Sequence, residues 1–262
     1  MGLFRYFLDI VSVRYFWMHL VIADLRASWR NSYLGILWPI LQPLAMTFLV
    51  AFVLGSMFHV PVREYAPYIF SGTLVWEFIL KTAIGGSLAY VQAEPYIKQF
   101  RHPLAIYTLR TSLFHIAVMM LGFAGLVIWS LVVLPENFGL PWLAILLLFP
   151  VLLFSGWALA SIFSYTGVIY RDLPHALGIV FQAVWFVSPV YFLPGQFRDG
   201  GVGWLVDYNP IYHVLQLIRA PLLNGQWPIA ENLVFSLATV VVLCLGAIFV
   251  GYRQEPKVIF YL

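Results

Sequence analysis

The dominant pattern in this 262-residue chain is a series of long apolar runs separated by short polar breaks. A bilayer core needs about 20 mostly apolar residues per helix. Six runs reach or approach that length: about Ile36 to Phe58, Pro67 to Tyr90, Leu104 to Leu134, Trp142 to Ile169, Leu177 to Leu193 and Ile229 to Tyr252. A lipid-facing backbone must satisfy its own N–H and C=O groups, and these runs are too long for barrel strands. The pattern therefore predicts an all-α membrane protein with six transmembrane helices.

The polar breaks set the orientation. Arg5, Arg14, Arg26 and Arg30 precede the first run, Lys98 and Arg101 follow the second, Arg171 follows the fourth, and Arg253 and Lys257 follow the last. Arg63, Arg198 and Arg219 fall on the other side, while Lys81 and Arg110 lie within runs. Nine against three places both termini in the cytoplasm, and the even number of spans agrees. Asp9, Arg14, His19 and Asp24 interrupt the N-terminal stretch, so it is expected to be retained rather than cleaved as a signal peptide.

Three segments depart from simple spans. Within residues 1–35, Met18, Ile22, Leu25 and Trp29 share one helical face and His19, Arg26 and Arg30 another. This predicts an amphipathic interface helix along the cytoplasmic surface, although a plain surface anchor has the same pattern. Glu94 to Pro103 reads EPYIKQFRHP. Pro95 suits a first helical turn and Pro103 cannot continue one, which predicts a short cytoplasmic helix able to dock a soluble partner. An ordinary basic loop is the plainer reading. Between Pro194 and Pro228, Gly195, Gly200, Gly201 and Gly203 mark turns. Ile211, Val214, Leu215, Ile218 and Leu222 then recur at helical spacing over too short a length to cross, which predicts an external re-entrant segment. The chain is thus read as a single transmembrane domain over 1–262. It comprises an interface segment 1–35, a six-helix membrane domain 36–252 with the external region 194–228, and a cytoplasmic tail 253–262.

Composition narrows the chemistry. Hydrophobic residues make up 62% of the chain and charged residues 10%, against about 25% charged in soluble domains. The lone Cys244 excludes a disulfide framework or a multi-cysteine metal site within one chain. A net charge of +3 argues against a nucleic-acid surface. The GxxxxGK[ST] phosphate loop, HExxH and paired-cysteine spacings do not occur. No catalytic residue, metal ligand or cofactor site is expected in this chain. His19 and Asp24 form an H-x4-D pattern, but five helical residues separate them by about 140° in rotation, so they share no face.

Charges and rings inside the runs are the remaining signals. Glu77 and Lys81, four apart, can meet on one helix face. A lone charge at mid-bilayer costs about 2.5–3.5 kcal/mol, so the pair is expected to face the protein interior or a polar cavity. A purely structural pair and a functional one both fit. Arg110 and His115 are expected to reach back to the cytoplasmic headgroups. Interfacial belts account for Trp38, Tyr65, Tyr68 and Trp142. Phe48 and Phe52 in the first span, and Phe181, Trp185, Ser188 and Phe192 on one face of the fifth, need another account. Flat rings suit sliding contact with sugar faces. Packing between helices explains the same spacing.

With those segments in place, the chain resembles the transmembrane subunits of ABC transporters that export polysaccharides, the type-2 permease group. The residues that carry the likeness span the chain. Arg30-Asn-Ser-Tyr-Leu-Gly-Ile-Leu-Trp-Pro39, followed by Pro43, is similar to that family's approach to its first span. Gly72-Thr-Leu-Val-Trp76 resembles its second span, and Tyr96-Ile-Lys-Gln-Phe-Arg-His-Pro103 its coupling helix. Arg171-Asp172, Ser188-Pro189 and Asn209-Pro210 with Arg219 complete the pattern. The wording of 96–103 is closest to O-antigen exporters, ahead of capsule and teichoic-acid ones.

The resemblance implies a homodimer in the bacterial inner membrane, driven by two separate cytoplasmic ATPase subunits that bind ATP and Mg. It implies a long glycan on undecaprenyl diphosphate as substrate. Glu94, Pro95, Tyr96, Ile97, Lys98, Gln99, Phe100 and Arg101 would dock the ATPase. Arg26, Arg30 and Arg171 would attract the diphosphate, and Phe48, Phe52, Phe181, Trp185 and Phe192 would line the glycan path. Two other readings stay open: an ion-coupled carrier, for which Glu77 is the one clear intramembrane carboxylate, and a membrane-bound transferase acting on lipid-linked sugars, with Asp172 and His175 as its nearest acid–base residues.

Overall fold

Proline and polar residues stop the helices where the apolar runs end. In a computed structural model, which describes residues 3–30 and 32–262, every regular element is helical. Asn31, in the motif at 30–39, lies outside the described residues. The order is α1 (Leu3–Ser12), α2 (Arg14–Trp29), α3 (Trp38–Phe58), α4 (Val62–Gln92), α5 (Glu94–Gln99), α6 (Ala105–Val133), α7 (Leu148–Ile169), α8 (Leu173–Phe186), α9 (Pro194–Asp199), α10 (Trp204–Asp207), α11 (Pro210–Asn224) and α12 (Ala230–Val258). Short 3-10 pieces precede α3 and α7.

Five of these segments, including α3, α4, α6, α7 and α12, are long and apolar enough to cross a membrane. The return between α7 and α12 is made differently from the predicted fifth span. Helix α8 has only 14 residues, about 21 Å, because Pro189 lacks an N–H and disfavours helical backbone at Ser188. Irregular chain from Val187 onward completes the passage. The Tyr65 hydroxyl donates to the Tyr191 carbonyl at 2.7 Å, and the Tyr68 hydroxyl to those of Pro189 and Phe192. Tyr65 and Tyr68 sit in the first turns of α4, whereas the α7–α8 turn lies by α4's other end, where Tyr165 meets Tyr90 with ring centres 5.1 Å apart. The chain therefore runs from one end of the bundle to the other six times.

Helix α4 is the hub, with most of its length buried against α3, α6, α7, α8 and α11. Small residues permit this. A Cβ on Gly86 would collide with the Ala160 backbone, and one on Gly167 with the Ser87 carbonyl, so α4 and α7 meet backbone to backbone. The main core joins Phe70, Leu74 and Phe78 of α4 to Leu148 and Leu152 of α7 and Leu215 and Leu217 of α11. By contrast, α3 and α12 present exposed Phe52, Met57, Val242 and Leu245, as lipid-facing or partner-facing helices do.

The bundle has two unlike ends. The basal end gathers α1, α5, the α7–α8 turn and the last turn of α12. The distal end gathers the α3–α4 turn, the segment between α6 and α7, and α9 to α11. Helix α2 runs along the basal part of α6: Phe16 meets His102, and Asp24 forms paired bonds of 2.6 and 2.5 Å with Arg110. Arg110 is thus held by a carboxylate rather than reaching towards headgroups. The face of α2 predicted to be apolar points away from the bundle at Met18 and Ile22, while Val21 is buried. A 55° bend separates α1 from α2.

Candidate functional site

At the basal end, Pro95 starts α5 and extended backbone at Phe100 ends it. Ile97 is buried and pins the helix to the bundle, leaving Glu94, Pro95, Tyr96, Lys98, Gln99, Phe100 and Arg101 facing outward to differing degrees. Lys98 donates to Glu94 at 2.6 Å and to the Leu262 carbonyl at 3.0 Å. That bond holds the Glu94 carboxyl below the usual carboxylate range. The Phe16 ring packs against Tyr96, Phe100 and His102, joining the α1–α2 segment to the same surface.

Behind this surface lies a clamp that sequence reading missed. Glu255, in the last turns of α12, accepts from the Tyr6 hydroxyl at 2.9 Å and the Leu104 amide at 3.3 Å. The Tyr6 hydroxyl accepts from the Ala105 amide at 3.3 Å. A carboxylate and a hydroxyl thus satisfy orphan N–H groups at the start of α6, directly after the α5 loop. Residues 6, 104 and 255 are far apart in sequence, so no local spacing announces the contact.

Two adjoining cavities, of about 260 and 320 Å³, lie beside α2, α4 and α6 and share Ser28, Phe114 and His115. The larger is lined by Asp24, Gln92, Tyr107 and Arg110; the other runs deeper, past Trp29, Trp38, Gln42, Glu77 and Lys81. Lys81 bonds Glu77 at 2.6 Å, with their side chains 47% and 27% exposed. The expected pair therefore forms, and it lies on the wall of the deeper, largely apolar cavity. Arg26, Arg30 and Arg171 are all exposed. Arg171 lies by α5, close enough to act on Glu94, and the other two sit at the C-terminal end of α2.

The predicted aromatic path is not one continuous face within the chain. Phe48 packs on Trp129 of α6 at 5.0 Å, and Phe52 is exposed. Phe181 meets Trp76 and Phe163, and Trp185 meets Tyr191. Phe192 falls beyond the end of α8 and packs on Phe58 and Phe197 instead. Among the described residues, no ring contact links Phe48 or Phe52 to Phe181 or Trp185.

The distal end is organised by Arg219, counted from sequence as an external loop charge but only 2% exposed. It donates to Ser71 Oγ and to the carbonyls of Tyr68, Pro189 and Val190, and it lies 3.5 Å from the centre of the Tyr68 ring. Asn209 caps α11 through the Ile211 amide and donates to Ser188 Oγ at 3.0 Å. His213 bridges Asn232 and the Asp207 carbonyl, fixing α11 to α12. Helix α11, expected from the sequence to be re-entrant, is thereby packed into the bundle.

These features define a multi-pass, all-α integral membrane protein whose two ends are built differently. The chain matches no family model. Among curated proteins, it is 27% identical over 258 residues to the O-antigen export system permease protein RfbA of Myxococcus xanthus, covering 94% of this chain and 96% of that one. It is 22% identical over 210 residues to a protein of the same description from Klebsiella pneumoniae, covering 77% and 78%. The polysialic acid transport protein KpsM of Escherichia coli is 24% identical over 249 residues, covering 90% and 92%. The resemblance to polysaccharide-exporting ABC permeases drawn from the motifs is borne out by these relatives.

Proposed function

We propose that this chain is the membrane-spanning subunit of an ATP-driven exporter that moves a lipid-linked, O-antigen-like polysaccharide outward across the bacterial inner membrane. The observation that carries this reading is the likeness, over nearly the full length, to an O-antigen export permease. The outward-facing residues of Glu94–Arg101 support it, because a short exposed helix at the basal end offers a seat for a separate ATPase. Two copies would enclose the path, with two ATPase subunits seated on α5 and the adjoining α1–α2 segment. An ATPase that contacts this surface differently with and without ATP would bias the pair between inward- and outward-facing arrangements. Arg26, Arg30 and Arg171 would draw in the diphosphate of an undecaprenyl carrier.

The test is co-purification with the ATPase subunits and measurement of their turnover. The intact chain is expected to form the complex and stimulate ATP hydrolysis, while Lys98→Glu with Arg101→Glu abolishes both. Export by the isolated chain without ATP would sink the reading. Single charge reversal at Arg26, Arg30 or Arg171, with the complex intact, is expected to lower export.

A further inference from the structure

The two adjoining cavities form one trough, lined on α4 from Leu74 to Gln92, about 27 Å of helix. It therefore leads from the basal end to the middle of a spanning helix. Gly85 lies where α4 comes close to α6 beside the shared residue His115: a Cβ there would lie 3.1 Å from His115 Nε2 and 3.2 Å from Thr111 Cγ2.

The charges of the trough are balanced in place. Arg110 is held by Asp24 and Lys81 by Glu77, so no cation among these is left over for a phosphate. Hydrogen-bonding capacity does remain. Gln42 and Gln92 offer exposed amides. Trp29 and Trp38 line the deeper part, and indole faces pack well on the C–H faces of pyranose rings. From Trp38 onward, α3 continues as an exposed apolar flank through Leu41, Leu49 and Phe52. Aromatic walls carrying a few polar groups thus open beside a surface suited to hydrocarbon. Charged groups left half-exposed at this depth call for a polar neighbour.

We propose that the trough binds the uncharged sugar portion of an amphiphilic glycolipid, with its hydrocarbon chain along α3. This rests on the glycan-export reading and adds a receiving site within one chain, separate from the aromatic and arginine positions considered above. The sugars stack against Trp29 and Trp38, and their hydroxyls take up Gln42 and the free lone pairs of Glu77.

The test uses the full chain in lipid nanodiscs and three photoreactive probes with the same alkyl chain and a diazirine next to the head. One carries a neutral disaccharide, one a phosphate and one a phosphocholine. The disaccharide probe is expected to label peptides from 29–42 and 77–92 at least tenfold more than the other two. Excess unlabelled alkyl disaccharide removes that labelling, and Gly85→Leu, which adds bulk beside His115, reduces it at least tenfold. Should Gly85→Leu not fold, Trp38→Ala with Gln42→Leu provides the same reading at the surface of the trough. Equal labelling by the phosphate or phosphocholine probe, or labelling indifferent to these variants, overturns the proposal. Such a failure with ATPase stimulation intact removes only this site. Specific labelling in a chain that neither binds nor stimulates an ATPase would instead remove the exporter reading.

Discussion

A guanidinium without a carboxylate inside a membrane bundle is tolerated only when its donors are matched, and Arg219 finds four oxygens and a ring face. Two of those oxygens, on Pro189 and Val190, are available because α8 stops at Phe186 and leaves its following carbonyls without helical partners. The helix break and the arginine therefore depend on each other. Arg219→Met is expected to destabilise the fold by about 3 kcal/mol, since it strands buried carbonyls. Arg219→Lys should recover only part of that, because an ammonium cannot serve the same fork of acceptors. Thermal unfolding in detergent, followed by circular dichroism, measures both. The Asp24–Arg110 pair is only partly exposed, and a double-mutant cycle with Asp24→Asn and Arg110→Gln is expected to give a coupling of about 1 kcal/mol. Glu77–Lys81 was legible from the sequence because four residues make one helical turn. Asp24–Arg110 was not, since nothing local links two residues on different helices. Arg219 was misplaced for a related reason: spacing identified the apolar face of α11 but not what would surround it.

The long helices were readable because one physical demand, satisfying backbone groups in lipid, fixes both their type and their length. Boundaries depended on finer chemistry. Ser188-Pro189 was visible as a motif, but the loss of helix beyond Phe186 follows from the proline's missing donor together with the carbonyl sink provided by Arg219. The face of α2 that packs on the protein was likewise hidden, because Met18 and Ile22 are as apolar as the buried Val21. The approach of α4 to α7 is an element-scale feature with a sharp test. Gly167→Val would drive a side chain into the Ser87 backbone, and no rotamer relieves a clash at Cβ. Overpacking of this kind costs about 1–3 kcal/mol, and contact with backbone places it at the upper end. The yield of monodisperse protein in size-exclusion chromatography should fall sharply for Gly167→Val. Gly178→Val, at a site where a Cβ meets nothing, should be neutral within the chain.

For the whole molecule, the two unlike ends give a simple test of orientation. With Cys244→Ala as background, Gln99→Cys at the basal end and Val202→Cys at the distal end are both expected to be accessible. A membrane-impermeant maleimide added to intact spheroplasts should modify Val202→Cys alone, and Gln99→Cys should react only after lysis. The reverse result would place α5 outside the cell and remove the basis for ATPase docking. Charge counting expects Gln99 inside and Val202 outside, although Arg219 contributed to the distal tally from inside the fold. The contact between Lys98 and the Leu262 carbonyl bears on how the protein is handled. An affinity tag fused after Leu262 would emerge against α5, the helix proposed to dock the ATPase, and under that proposal a bulky one would make a sound preparation look inert. The turn at Gly200–Gly203, at the opposite pole, is the safer place for a handle.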